Sequence, residues 1–428
     1  MRDTPTAEDA RQRDFWPFRA DPALANDHDM RPTDHYIVIS SDCHAGASHA
    51  QYREYLDPAW RDEFDAWRGK YANPFRDLQG DGRTRNWDGA RRIADQEAEG
   101  VVAEVLFPNT VPPFFPTGSV IAPAPSPEEY PARLAGIRAH NRWLADFCAE
   151  QPHRRAGLTQ IFLNDVDDAL ADIRWGHEHG LRGVMLPGAA PDTPWIDPLF
   201  SPKYDPIWQL CQDLGISITH HGGGTGVPKM PKQPASVVMY VMEAGFWANR
   251  ALWHLTMSGV FERFPGLTVA LTEQGTGWIP DVLDRMDALH ADMRRNGRIG
   301  ELGIDESVIL PHKPSDYFRR NVMVGAAFPA PSDARVMRQL GIDRIMWGSD
   351  YPHMEACSPH SRESLRRTFA GWEPEQLKVV LSENAARVYG FDLDALAPLA
   401  AVCGPTVAEV ATPLDALPEN QSPAFSRP

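Results

Sequence analysis

Asp42-Cys43-His44 ends one apolar run of the chain, His220-His221-Gly222-Gly223-Gly224 ends a second, and Gly348-Ser349-Asp350-Tyr351-Pro352-His353 ends a third. Carboxylates and imidazoles that recur at the ends of apolar runs are the donor set of a divalent metal. At strand C-termini they would line the rim of a barrel. Asp42 and His44 are two residues apart, so on a strand both side chains leave the same face. Strict alternation puts Val38, Ser40, Asp42 and His44 in the lumen and turns Ile37 and Ile39 towards outer helices. Such a pair can hold one metal from two sides; the plainer reading is a turn-capping Asp beside an ordinary His. His220 and His221 have opposite parity. With Ile216 and Ile218 facing the helices, His221 is the better inward ligand, and His220 stays as the alternative.

Asp350 shares parity with Met346 and Gly348. A carboxylate at that point can touch a metal and its water together, which makes it the candidate general base. Tyr351-Pro352-His353 predicts an irregular loop after it, with His353 as a further catalytic candidate. Glu273 closes another run as a proton carrier, a metal ligand or a salt-bridged wall residue. Parity with Ala270 and Thr272 turns Gln274 inward. Gln274, Trp278 and Asn109 are the residues expected to meet substrate, although Asn after Pro108 is also ordinary turn chemistry.

These residues need a frame. Eight short, β-branched apolar runs cover Tyr36–Asp42, Val101–Phe107, Gly157–Leu163, Arg182–Leu186, Ile216–His221, Leu267–Glu273, Asn321–Gly325 and Asp343–Asp350. Helical periodicity separates most of them, as in Ala132–Glu150, Val166–His179, Pro206–Leu214, Val237–Ser258 and Asp281–Arg295. Alternating strands and helices give parallel β-α units. Eight units predict an α/β fold, a distorted (β/α)8 TIM barrel over residues 34–394; an open, doubly wound sheet is the competing arrangement. Two connections are too long for plain loops. Residues 45–100 and 108–131 are expected to be lid segments after strands one and two. Residues 1–33 read as a flexible arm, and residues 395–428, with repeated prolines, as an extended tail.

Bulk properties exclude some classes. The 428 residues are 43% hydrophobic and 23% charged, with a formal net charge of −16. That charge repels phosphates, so neither nucleic acid nor an anionic membrane is expected as a partner. No stretch reaches the ~20 apolar residues of a membrane span. The five scattered cysteines form no disulfide framework and predict a reducing, cytoplasmic setting.

Taken in order, Ser41-Asp42-Cys43-His44, Thr219-His220-His221-Gly222-Gly223, Gly259 to Pro265, Trp347 to His353 and Glu383-Asn384-Ala385-Ala386-Arg387 resemble the amidohydrolase superfamily from about Tyr36 to Phe391. The resemblance is to its amidohydrolase-2 group, which includes aminocarboxymuconate-semialdehyde decarboxylase and the resorcylate decarboxylases. It implies one divalent ion, usually zinc and sometimes manganese, held by Asp42, His44, His221 and Asp350. It also implies a homodimer. Asp42 is a shorter acid than the family's usual first ligand, and its oxygen shifts the preference slightly towards Mn²⁺. One departure stands out. Where the decarboxylases carry a His just past strand six, counting back from Pro280 gives Gln274, which cannot carry a proton.

The sequence is therefore read as a metal-dependent hydrolase. A metal-activated water would cleave a C–N or C–C bond next to a carbonyl in a small organic acid or ring-derived substrate, with Asp350 taking the proton. The alternatives are a carboxy-lyase (decarboxylase) of an aromatic or dienoic acid, and a non-catalytic binding protein on the same barrel.

Overall fold

The computed structural model describes residues 34–71 and 80–427; the expected N-terminal arm, 1–33, lies outside the described residues. Eight parallel strands form one sheet in chain order: β1 (Ile39–Ala45), β2 (Ala103–Pro108), β3 (Arg155–Gln160), β4 (Gly183–Met185), β5 (Ser217–His221), β6 (Val269–Thr272), β7 (Val322–Ala327) and β8 (Ile345–Gly348). The seam between β8 and β1 closes through Asp350 N–H to Asp42 O (2.8 Å) and His44 N–H to Tyr351 O (2.7 Å). The result is the distorted TIM barrel, not an open sheet.

Local chemistry explains the surrounding helices. Asp165 caps the helix Val166–Glu178 by accepting from the N–H groups of Asp167 and Asp168, and Ala169, Asp172, Ile173 and Gly176 form its buried stripe. Asp205–Leu214 buries Ile207, Trp208 and Cys211. It stops at Gly215, whose φ of 65° is left-handed and costs a glycine little.

The core has two layers. Ile39, Ala103, Val105, Leu158, Met185, Ala270, Met323 and Met346 fill the lumen. Val184, Ile218, Val269, Leu271, Val324 and Trp347 meet the helices. The C-terminal region closes the lower end of the lumen with Tyr389, Phe391, Leu396 and Ala400. This corrects the expected extended tail. Residues Leu393–Cys403 are helical despite Pro398, and Val410, Ala424 and Phe425 are buried. Burial of that apolar face outweighs the one helical hydrogen bond that proline removes.

Strand β1 carries a second correction. Its pairing with β2 runs Ile39 to Ala103 and Ser40 to Glu104, then resumes at Cys43 with Leu106. Two residues, Ser41 and Asp42, therefore oppose the single Val105, which is a β-bulge. Strict alternation had Ile39 outside and Val38 inside. Instead Ile39 lies in the lumen and Val38 packs outside, and the bulge resets the phase so that Asp42 and His44 also face in. Ser40 braces the bulge, donating to Asp42 O and accepting from Ser349 N–H, each at 2.8 Å.

Candidate metal centre and cavity

Strands β1 and β5 bring Asp42, His44 and His221 together at one point, and His44 is shared with Asp350 just past β8. His44 Nε2 stands 3.4 Å from Asp42 Oδ1 and 3.2 Å from Asp350 Oδ1, and His221 Nε2 stands 3.4 Å from Asp42 Oδ1. Asp42, His44, His221 and Asp350 are almost wholly buried. Asp42 Oδ2, His44 Nε2 and both Asp350 oxygens nevertheless make no well-formed hydrogen bond. Buried polar atoms that crowd together without bonding are costly alone, and a shared cation removes that cost. Asp42, His44 and His221 thus fit one divalent ion, with Asp350 beside them on His44.

The surroundings prepare these donors. His44 Nδ1 lies 3.1 Å from Pro108 O; donation there leaves the Nε2 lone pair aimed at the site. Burial pushes the Asp42 and Asp350 carboxyls up, but neighbouring imidazoles outweigh it. His221 and His44 hold Asp42 below its usual range, and His353 and His44 do the same for Asp350. Asp350 has φ 63° and Glu273 φ 53°, left-handed backbone that Glu rarely adopts. Such strain persists where the surrounding structure dictates it.

His353 sits over the site, its ring centroid 4.0 Å from that of His44. Its Nδ1 is 2.8 Å from Asp350 Oδ1 and its Nε2 is 3.2 Å from Asn109 Oδ1. Burial disfavours its charge, but the Asp350 carboxylate prevails and lifts it to about 10. Asn109 Nδ2 donates to Asn86 Oδ1 (2.7 Å), and Asn86 Nδ2 to the Arg83 carbonyl (2.9 Å). That carbonyl only accepts, so the sense of the whole chain is fixed and Asn109 presents its oxygen to His353. No sequence signal singled out Asn86.

The end of β6 differs from expectation. Glu273 faces the cavity, with Oε2 3.4 Å from His221 Nδ1. Burial and the Asp350 charge push its carboxyl up to about 8. The left-handed turn at Glu273 breaks the parity that was to bring Gln274 inward. Gln274 Nε2 instead contacts His220 Nδ1 (3.1 Å) and O (2.9 Å), and Trp278 Nε1–H closes on Gln274 O at 2.8 Å. Gln274 and Trp278 therefore brace the wall and do not line the cavity. His220 turns with them, away from the donors, and burial lowers its imidazole to about 3.

The cavity beside the donors holds about 370 Å³. His44, Asn109, His221, Glu273 and His353 line it, together with Gly118 to Ile121 of the segment after β2, Tyr240, and Met354 and Glu355. Tyr240 was not foreseen. It lies on the helix Ser236–Met257 and contacts Gly223 O through its hydroxyl at 3.4 Å.

The family model for amidohydrolases matches residues 41–391. Gamma-resorcylate decarboxylase of Rhodococcus jostii is 27% identical over 254 residues, 54% of this chain and 70% of that protein. Among solved structures, 5-carboxyvanillate decarboxylase of Novosphingobium aromaticivorans, complexed with manganese and 4-hydroxy-3-methoxy-5-nitrobenzoic acid, superposes with a TM-score of 0.62 at 21% identity. That match covers 83% of this chain and 97% of the other. Dihydroxybenzoic acid decarboxylase of Polaromonas, with manganese and 2-nitroresorcinol bound, gives a TM-score of 0.57 at 19% identity, covering 83% and 97%. No described helix is long and apolar enough to cross a membrane.

Proposed function

This chain belongs to the amidohydrolase family, and we propose that within it the protein is a metal-dependent carboxy-lyase of a hydroxylated, single-ring aromatic acid. The observation that carries this reading is Glu273. It faces the cavity beside the donor cluster, its Oε2 3.4 Å from His221 Nδ1, and its burial favours the protonated form that an acid needs. That supplies the acid whose absence at Gln274 spoke against decarboxylation. The named relatives act on aromatic acids, which supports the same class.

Asp42, His44, His221 and Asp350 would hold one divalent ion. Two carboxylates and two imidazoles, and the manganese of the related structures, favour Mn²⁺ over the zinc first expected. When bound, the ion would supply Lewis-acid stabilisation of negative charge on the substrate's oxygens. Glu273 then gives its proton to the ring carbon that bears the carboxylate. The carbon–carbon bond breaks, its electron pair returns to the ring, and CO2 leaves. His353 keeps Asp350 in place through the 2.8 Å contact. The segment 108–131 acts as a lid, with Gly118 to Ile121 covering the ring. Five unpaired cysteines, four of them buried, support a reducing compartment.

A screen of hydroxybenzoates with manganese-loaded protein, read as CO2 release, tests this. The proton carrier contributes a factor of about 10²–10⁴, so Glu273→Gln should abolish most turnover while retaining the metal. The hydrolase reading stays second because the Asp350–His353 pair also suits removal of a proton from water. Product formation without CO2 would favour it and sink the carboxy-lyase.

A further inference from the structure

A second, smaller cavity lies under the segment that follows β2. It holds about 20 Å³. Phe115, Ser119 and Pro123 of that segment wall it, with Arg133 on the helix Tyr130–Ala149, Gln160 at the end of β3, and Phe162. Ser119 is shared with the larger cavity beside the donor cluster. Arg133 is 2% exposed and Gln160 1%. Arg133 Nε and Nη1, Gln160 Nε2 and Ser119 Oγ are buried, yet none makes a hydrogen bond among the described residues.

Arg133 is the anomaly. A buried guanidinium ordinarily meets a carboxylate, as Arg92 meets Glu104 at 2.6–2.8 Å. Arg133 Nη2 donates to Pro123 O at 2.8 Å. Its carboxylate neighbour, Glu129 Oε2, stands 3.8 Å from Nη1 on an exposed side chain and accepts from Ser126 N–H at 3.0 Å instead. The ring centroids of Phe115 and Phe162 lie 4.2 Å and 5.6 Å from the guanidinium carbon. Ring faces return part of the cost of burying the charge, but they leave Nε and Nη1 unpaired. Burial lowers the guanidinium to about 10, so it stays charged at neutral pH.

We propose that this cavity binds a monoatomic anion of chloride's size, held by Arg133, Gln160 and Ser119. Three observations choose that ligand. The first is charge. No residue on the cavity wall is acidic, and an anion supplies the counter-charge that Arg133 lacks. The second is size: the space exceeds the ~10–15 Å³ that one water needs, but it is too small for phosphate or a substituted ring. The third is the donor set. Four unpaired donor groups belong to the wall. A water oxygen has two lone pairs to offer them, whereas a halide accepts from all sides. The bound ion would tie Ser119 to β3 and to the helix, and Arg133 already holds Pro123 of the same segment. This inference is independent of the reaction assigned to the larger cavity.

The test follows thermal melting of the full-length chain as sodium chloride or sodium bromide replaces sodium gluconate at constant ionic strength, beside Ser119→Ala and Arg133→Met. The wild type is expected to melt higher with halide, saturably. Ser119→Ala removes one hydrogen bond to a charge and should raise the halide concentration for half the gain about tenfold. Arg133→Met keeps an apolar stem against Phe115 and should abolish the gain; if that chain does not fold, Ser119→Ala decides. Anomalous scattering from crystals grown in sodium bromide places the ion, with a peak expected against Arg133, Gln160 and Ser119. An ordered water there instead, or a halide response equal in the wild type and Ser119→Ala, overturns the proposal. So does a bromide peak without any halide response in solution, which would be an adventitious ion only.

Discussion

Gly348 sits where β8 crosses the bulge of β1. A methyl group built on it would lie 2.7 Å from Asp42 Cβ, 3.2 Å from Asp42 N and 3.5 Å from Ala327 Cα. Carbon atoms in ordinary contact stand about 3.5–4.0 Å apart. Gly348→Ala must therefore push the Asp42 side chain, or the strand beneath it, by about 1 Å. Donor atoms in a metal site tolerate about 0.2 Å. Changes just outside a donor set commonly cost 10–100-fold in affinity, and the upper part of that range is expected here. Overpacking also costs about 1–3 kcal/mol of stability, so metal loss needs a control that shares only this effect. Gly157→Ala supplies it: its added carbon meets Leu181, Leu144 and Cys148 at 2.8–3.0 Å, on the helix side of β3. Metal affinity is measured by competition with a calibrated chelator, beside thermal melts of both variants. Gly157→Ala should melt early and keep its metal; Gly348→Ala should lose affinity beyond anything its melt explains. Equal metal affinity in Gly348→Ala and wild type would refute the placement of Asp42 in the donor set.

Other outcomes follow from the same geometry. Asp42→Ala and His221→Ala should each purify with little bound metal by elemental mass spectrometry, whereas His220→Ala should keep it, because His220 turns towards Gln274. Asn86→Leu leaves the Asn109 amide without its buried acceptor, a cost of about 1–3 kcal/mol. Turnover should fall about tenfold with metal content unchanged. His140 is fully buried and that burial lowers its imidazole to about 3, from an ordinary value of 6.5. Unfolding therefore takes up a proton between those values: the stability contribution is complete above pH 6.5 and is lost as pH falls towards 3. Below pH 6 the stability of the wild type should drop by up to about 1.4 kcal/mol per pH unit more than that of His140→Gln; parallel slopes would show that His140 is not held neutral.

Much of this architecture is written locally. The runs that became β1 to β8 are short, apolar and β-branched, and the helices between them carry a 3.6-residue stripe, so alternation alone predicted the parallel barrel. Parallel strands end on one rim. His44, His221, Glu273 and Asp350 stand at or just past strand ends and Asp42 lies two residues before His44, so type and position were enough to gather them near one rim. Parity also separated His221 from His220, because β5 is regular and Ile218 anchors its outer face.

The remainder depended on contacts between segments far apart in the chain. The bulge at Ser41 and Asp42 exists because β1 must meet both β2 and β8, and Ser40 reaches Ser349 across 309 residues to brace it. The sequence by itself determined which residues reach the rim, since side-chain type and local period are properties of neighbouring positions. Only the tertiary structure decided their aim. The left-handed turn that swings Glu273 in and Gln274 out, and the Arg83–Asn86–Asn109 chain that orients His353, are unfavourable or unreadable in isolation. They hold because packed neighbours leave the backbone and the amides no lower alternative.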